Sequence, residues 1–534
     1  MWLHQLKQKS RSSIAFKRRV TLLFTAFCLV LPSSLLAQSP VPNTLPLLGD
    51  GSDLSAGAER RLGDRIVREL FRDPDFIDDP VLSDYVQGIW QPLLASARAR
   101  GDLTPELDER FAWRILLGRD RSVNAFALPG GYFGLHLGLL SVVSSRDELA
   151  SVLGHELSHV TQRHISRLIS RSNQQTPWMI GAMILGALAA SKNPEAGNAL
   201  IVGGQALSAQ SQLNFSRDME READRIGFGV MTQAGFEAQG FVDMFDKLQQ
   251  ASRLNDSGAY PYLRSHPLTT ERIADMQSRL PLGAPHAASV VPGMTHAMLT
   301  ARARVLSNAG ADALLGWQAQ ADDAGLASQA TAQRAGILYG AALAASRMRD
   351  VAQARKQFAR LQKEPVDAPE ALQQVRWLGL EIELTAPDRP SAQLLALTAD
   401  VGLDTARAAT ALRRPDLVLQ AQWAIQSGQA LLLDQAAQNL QGWLLRQPHD
   451  ALVWQSLASI YTVQDQALRA LRAQAEAQVA QLDYAGALDR LKAAQDRLRS
   501  AGATGSRADH IDASIIDTRR RQIEALLKEQ AQEP

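Results

Sequence analysis

Residues 145–160 read SRDELASVLGHELSHV, and this stretch decides how the rest of the chain is read. Ser145 followed three residues later by Glu148 has the capping-box spacing, so a helix is expected to start there and to run through Ala150, Leu153, Leu157 and Val160. On that helix His155 and His159 stand four residues apart, which puts both imidazoles on one face within reach of a single ion. Glu156 lies beside them, where its carboxylate can take a proton from a water at the ion. The expectation is one zinc ion per chain, with His155 and His159 as ligands and Glu156 as general base.

A catalytic zinc site needs a third protein ligand and an open position. A histidine six residues after His159, with glycine at 162, would supply it in one known arrangement. Positions 162 and 165 are Gln162 and Ile165, so that arrangement is excluded. The better source is Asp218-Met219-Glu220-Arg221-Glu222-Ala223-Asp224, where Glu220 and Asp224 are one helical turn apart. Glu222 falls about 200° around such a helix from Glu220, so the two glutamates cannot serve one metal together. Glu220 is taken as the ligand, with Glu222 as the alternative. Asp224 then accepts a hydrogen bond from the outer nitrogen of a ligating histidine.

These residues, His155-Glu156-x-x-His159 with a distant Glu220-x-x-x-Asp224, resemble the pattern of the M48 peptidases. Ala58-Glu59-Arg60-Arg61-Leu62-Gly63, Asn124-Ala125-Phe126-Ala127-Leu128-Pro129-Gly130-Gly131 and Ser265-His266-Pro267-Leu268 are similar to segments of soluble members. The resemblance implies a zincin-type metallopeptidase domain. It also implies that His266 is a fourth, latching zinc ligand on a loop that must move aside for substrate; the plainer reading is a surface-loop histidine. Exported members imply a role in envelope quality control: degradation of unfolded or misassembled outer-membrane β-barrel proteins, help in their assembly, and contact with the β-barrel assembly machinery. Two other functions fit the same sequence: a chaperone-like scaffold whose protease is mostly latent, and a membrane-embedded processing peptidase. For oxyanion stabilisation His266, Tyr260 and Tyr262 are candidates and none is assigned.

The chain has 534 residues, enough for two domains with appendages. Its formal charge is +1 and its basic residues are dispersed, which excludes nucleic acid as an electrostatic partner. Lys17-Arg18-Arg19, the apolar run Val20–Leu31, Pro32 and small residues up to Ala37 read as a cleaved signal peptide over 1–37, so the chain is expected in the periplasm. General secretion fits Val20-Thr21-Leu22-Leu23 better than twin-arginine export. Cys28, the single cysteine, falls inside this signal, which leaves His, Asp and Glu as the metal ligands. Residues 38–54, rich in Pro, Ser and Gly, read as an exposed lead-in.

The fold class expected is α+β, predominantly helical. Residues 55–282 mix amphipathic helices such as Glu59–Phe71 with strand-like runs such as Phe111–Leu117 and form the peptidase domain. A linker follows over 283–296, and 297–534 is expected to be all-α. There Pro448-His449-Asp450 leads into Trp454, Leu457, Ala458 and Tyr461, and Tyr484, Ala485 and Leu488 head a later helix. This order, with weaker echoes at Tyr339–Pro365 and Trp423–Pro448, resembles tetratricopeptide repeats, whose concave stacks hold proteins. An ordinary helical bundle is the alternative. Pro129-Gly130-Gly131 is either a tight turn or a turn beside an edge strand that pairs with substrate. The apolar run Trp178–Ala190 is too short to span a bilayer, so packing over the active site or peripheral membrane contact is expected.

Overall fold

The structure is a computed structural model, and it describes residues 54–171, 216–254, 260–280, 293–366, 368–386, 412–501 and 507–532. The expected signal, nearly all of the lead-in, the apolar run Trp178–Ala190 and residues 283–292 of the expected linker lie outside these residues. The described part is predominantly helical with one small sheet.

The chain opens with α1 (Ala56–Leu70), β1 (Phe76–Ile77), α2 (Pro80–Arg100), α3 (Pro105–Arg110) and β2 (Arg114–Gly118). The hairpin β3 (Ala125–Leu128) and β4 (Tyr132–His136) follows, then α4 (Leu137–Val142) and α5 (Arg146–Thr161). After α6 (His164–Arg171) come α7 (Arg217–Gln233), α8 (Gln239–Leu254), the short α9 (Tyr262–Ser265) and α10 (Thr270–Ser278). The sheet order is β1-β2-β4-β3; β2 and β4 run parallel and the other pairs antiparallel. β3 is therefore an edge strand.

Pro129-Gly130-Gly131 makes the β3–β4 turn, with both glycines at left-handed φ of 75° and 79°. A Cβ at Gly130 would stand 2.7 Å from the Arg60 backbone, so glycine is required both by φ and by the close approach of α1. The strand expected from Phe111 begins three residues later. Phe111 donates its N–H to Leu107 to cap α3, and Trp113 takes a left-handed φ of 48°, so ladder pairing starts at Arg114.

α5 is buried from Glu148 to Thr161, because it runs through the middle of the domain rather than over its surface. Its apolar side packs with Trp90, Phe133 and Phe241. α7 crosses it at a glycine pair: a Cβ on Gly227 would lie 2.9 Å from both Gly154 C and His155 N. Glycine at 227 allows this approach, and a Cβ on Gly154 would stand 3.2 Å from the Gly227 carbonyl oxygen.

The rest of the chain is helical: α11 (Met294–Ser307), α12 (Ala311–Asp322), α13 (Thr331–Arg347), α14 (Val351–Leu361) and α15 (Pro369–Thr385), with a short 3-10 turn between α12 and α13. α16 (Arg414–Ser427), α17 (Ala430–Leu444), α18 (Ala451–Val463), α19 (Ala467–Ala480), α20 (Tyr484–Ala501) and α21 (Arg507–Ala531) complete it. Asp450 caps α18 by accepting the Val453 N–H, and Leu457, Ala458 and Tyr461 are buried on it. α11 begins at Met294, inside the segment expected to be linker, and the halves share one core. Leu299, Ala303, Trp377, Leu380, Leu419 and Trp423 pack into the same cluster as Trp90 and Leu153. Buried Arg302 joins Asp79 of the first half to Glu381 of the second at 2.7 Å each. Among the described residues no helix is long and apolar enough to cross a membrane.

Candidate metal centre

Ser145 accepts the Glu148 N–H at 3.1 Å and starts α5 as the capping spacing requires. Glu148 reaches past the cap to the Ser144 N–H and to Lys247, so its return bond falls one residue earlier than in a standard capping box. Two turns further on, His155 and His159 project from one face, with Nε2 atoms 3.0 Å apart.

The Gly154–Gly227 crossing lays the first turns of α7 against this face. Glu220 brings Oε2 to 3.4 Å from His155 Nε2 and Oε1 to 3.5 Å from His159 Nε2. His266 follows α9, held by its N–H to the Tyr262 carbonyl and by ring stacking on Tyr262 with centroids 4.7 Å apart. Its Nδ1 is 3.3 Å from His155 Nε2 and 3.0 Å from Glu220 Oε1. One ligand atom from each of His155, His159, Glu220 and His266 lies within 4.8 Å of the others, and all four residues are buried.

The donor set fits a single zinc ion. Ligand atoms about 2.1 Å from a tetrahedral zinc stand about 3.4 Å from one another. The separations here run from 3.0 to 3.5 Å. His155 and His159 each point an Nε2 at the same place while Nδ1 is taken by another partner. Two lone pairs 3.0 Å apart repel, and a proton or a metal cation between them relieves that repulsion. In the ion-free chain a proton does so. Burial opposes charge on His155, yet hydrogen bonds to Asp224 and Glu220 raise its pKa to about 9. Burial and the neighbouring His155 charge hold His159 well below its ordinary value. Burial likewise works against ionised Glu220, but His266 and His155 keep its carboxyl well below the usual range.

Asp224 lies one turn beyond Glu220. Its Oδ1 is 2.9 Å from His155 Nδ1, and its two oxygens accept a bidentate pair from Arg272 at 2.6 and 2.8 Å. Arg272, buried on α10, also lies 2.8 Å from Glu220 Oε2 and donates to the Pro267 carbonyl. One guanidinium thus holds two acidic residues of α7, Glu220 and Asp224, and the loop that carries His266. Arg272 carries no mark in the sequence, because nothing local separates a buried arginine from the exposed ones around it.

Glu222 points away from this group. It is half-buried and accepts from Arg167 at 2.7 Å, while its Oε2 lies 3.0 Å from His164 Nε2. His164 was also missed. Its Nδ1 is 2.8 Å from His159 Nδ1, and burial pushes its pKa down to about 4, so the ring is neutral. The available signal was a third histidine five residues after His159, a spacing that does not follow the helical period.

Glu156 is buried beside the cluster, with Oε1 3.5 Å from His266 Nε2, and burial raises its carboxyl above the ordinary range. Tyr262 is buried against His266, and Tyr260 is half-buried on the core.

Residues 103–280 match the model of Peptidase family M48. A Vibrio cholerae protein provisionally named beta-barrel assembly-enhancing protease is 36% identical over 61% of this chain and 65% of its own length. The beta-barrel assembly-enhancing protease of Escherichia coli is 34% identical over 44% of this chain and 47% of its own length. The mitochondrial metalloendopeptidase OMA1 of Saccharomyces cerevisiae is 27% identical over 38% of this chain and 56% of its own length. The chain thus matches between about half and two thirds of the length of these relatives. The segment that matches Peptidase family M48 holds His155, Glu156, His159, Glu220, Asp224 and His266 together.

Proposed function

We propose that the chain is a zinc metalloendopeptidase in which His155, His159 and Glu220 hold the ion, His266 is a displaceable fourth ligand and Glu156 is the catalytic base. The observation that carries this reading is the convergence of those four ligand atoms within 4.8 Å beside the buried Glu156 carboxylate. When bound, zinc polarises a peptide carbonyl and makes water a stronger acid. Glu156 takes the proton from water and returns it to the leaving amine, and its burial raises its basicity towards the working pH. Asp224 fixes the His155 tautomer, and Arg272 holds Asp224 and Glu220 in register. The edge strand β3 is a pairing site for an extended substrate.

The setting is envelope quality control: export by the 1–37 signal to the periplasm, degradation of misassembled outer-membrane β-barrel proteins, and assistance to their assembly. The printed names of the relatives support it, as does the signal-like order of residues 17–37. The helical half, read as tetratricopeptide-like, is the element that holds client proteins or the β-barrel assembly machinery. A second reading is favoured by one observation. His266 completes a four-ligand set of the kind structural zinc sites use, so a mostly latent protease with a scaffolding role fits the same geometry.

The test is zinc content and cleavage of an unfolded model protein by wild type and Glu156→Gln. Both should hold one zinc per chain, and only wild type should cleave, with a loss of about 100-fold or more in the variant. Cleavage by Glu156→Gln at the wild-type rate rejects the catalytic assignment. Release of the protein by osmotic shock supports the periplasmic setting, and retention with the cytoplasm rejects it.

A further inference from the structure

α5 ends at Thr161, and the chain then turns back on itself. Arg163 adopts a left-handed φ of 53°, so α6 starts at His164 with its ring folded against the back of His159. This turn is pinned from a distant element. The Arg163 guanidinium bonds the buried Glu59 of α1 at 2.9 Å, the Leu54 carbonyl and Ser166. The position of the His164 ring is therefore built in.

We propose that His164 and Glu222 form a positioning relay that fixes the tautomer and orientation of His159 and thereby sets the zinc affinity of the site. The inference rests on the metallopeptidase reading above. If Nε2 of His159 faces the ion, its Nδ1 carries the proton and donates to Nδ1 of His164 across 2.8 Å. His164 then carries its own proton on Nε2 and donates it to Glu222 across 3.0 Å. Arg167, 2.7 Å from the same carboxylate oxygen, keeps Glu222 ionised and turned towards the relay. Only one order of protons satisfies both bonds. The two α5 histidines are thus backed differently: His155 directly by Asp224 and Arg272, His159 through the His164 ring by Glu222 and Arg167. Both carboxylates come from α7, two residues apart and on different sides of it. Without an acceptor at position 164, the His159 Nδ1 proton loses this bond and the opposite tautomer, which presents N–H to the ion, becomes competitive.

The test is zinc affinity, measured on the full chain by competition with a chromophoric chelator, together with the melting temperature of the metal-free chain. His164→Phe keeps the ring and loses the acceptor; His164→Asn places a carbonyl oxygen close to the position of Nδ1. The relay predicts a loss of about tenfold to a hundredfold in zinc affinity for Phe. It predicts that Asn recovers most of this loss, that Glu222→Gln weakens binding less than Phe does, and that the metal-free melting temperatures stay within a few degrees. A packing role predicts the reverse order, with Phe retaining affinity and Asn losing it. Phe within twofold of wild type, or Asn no better than Phe, overturns the proposal. Should Phe not fold, Glu222→Gln and Glu222→Ala carry the test, and unchanged affinity in both overturns it. Absence of zinc binding by wild type itself would instead reject the metallopeptidase reading.

Discussion

Nε2 of His266 lies 3.5 Å from Oε1 of Glu156, while Nδ1 of the same ring lies 3.0 Å from Oε1 of Glu220. One imidazole therefore touches the proposed base with one nitrogen and joins the ligand group with the other. On the metallopeptidase reading, substrate would compete with this ring for the same place.

His266→Ala should raise the rate of cleavage of an unfolded protein several-fold while zinc content stays at one per chain, because three ligands remain and the fourth position opens. Steady-state proteolysis beside metal analysis checks it. A rate equal to or below wild type at full zinc occupancy removes the latch from the account.

Metal removal should lower the melting temperature. An ion bound by the folded chain alone stabilises it by about 2.7 kcal/mol at a hundred times its dissociation constant. Glu156→Gln should show the same zinc-dependent shift as wild type, and His155→Ala should lose most of it. Differential scanning fluorimetry with and without chelator is sufficient. An equal shift in all three chains would place the ion elsewhere.

Arg272→Met should be the most damaging of the substitutions around the site. It leaves Asp224 and Glu220 buried without their cation, which costs about 3–5 kcal/mol. Urea unfolding should report this, and full-strength stability in the variant would mean that the pair is hydrated and not buried. Asp224→Asn should instead act mainly on the metal, weakening zinc about tenfold or more through His155.

His296 makes the contact between halves pH-dependent. Buried on α11, its Nε2 donates to the Val143 carbonyl at 2.9 Å, so its Nδ1 accepts from the Tyr85 hydroxyl at 2.6 Å. Burial holds its pKa below the ordinary value. The folded chain then binds fewer protons here than the unfolded one, so this stabilisation is present above about pH 6.5 and is lost as pH falls below it. Melting should show that decline between pH 7 and 5, at no more than about 1.4 kcal/mol per pH unit for one proton. In His296→Gln, which keeps the donor, the slope should flatten. An unchanged slope assigns the acid sensitivity to other groups.

Much of the site was legible because helical period converts spacing into direction. A step of four positions from His155 to His159, and another of four from Glu220 to Asp224, places each pair on one face whatever surrounds the helix. The same rule put Glu222 off that face, where it lies. Capping was legible for an equally local reason: Ser145 has a side chain of the right length for an orphan N–H. The strand starts three residues later than the alternation suggests. Alternation in Phe111–Leu117 carries no sign of the left-handed Trp113, a conformation imposed by the turn after α3.

By itself, then, the sequence determined which residues could act together on one helix, because that depends only on bond geometry and a 1.5 Å rise. It did not determine that α7 would lie across α5. That depends on Gly154 meeting Gly227, two residues 73 positions apart that show a purpose only when their backbones touch. Nor could it place Arg272 between Asp224 and Glu220, or His164 behind His159, since these pairings cross between elements whose approach is set by the whole core. Local periodicity placed the candidate ligands on one face of each helix, and long-range packing alone decided which lone pairs converge and what holds each of them still.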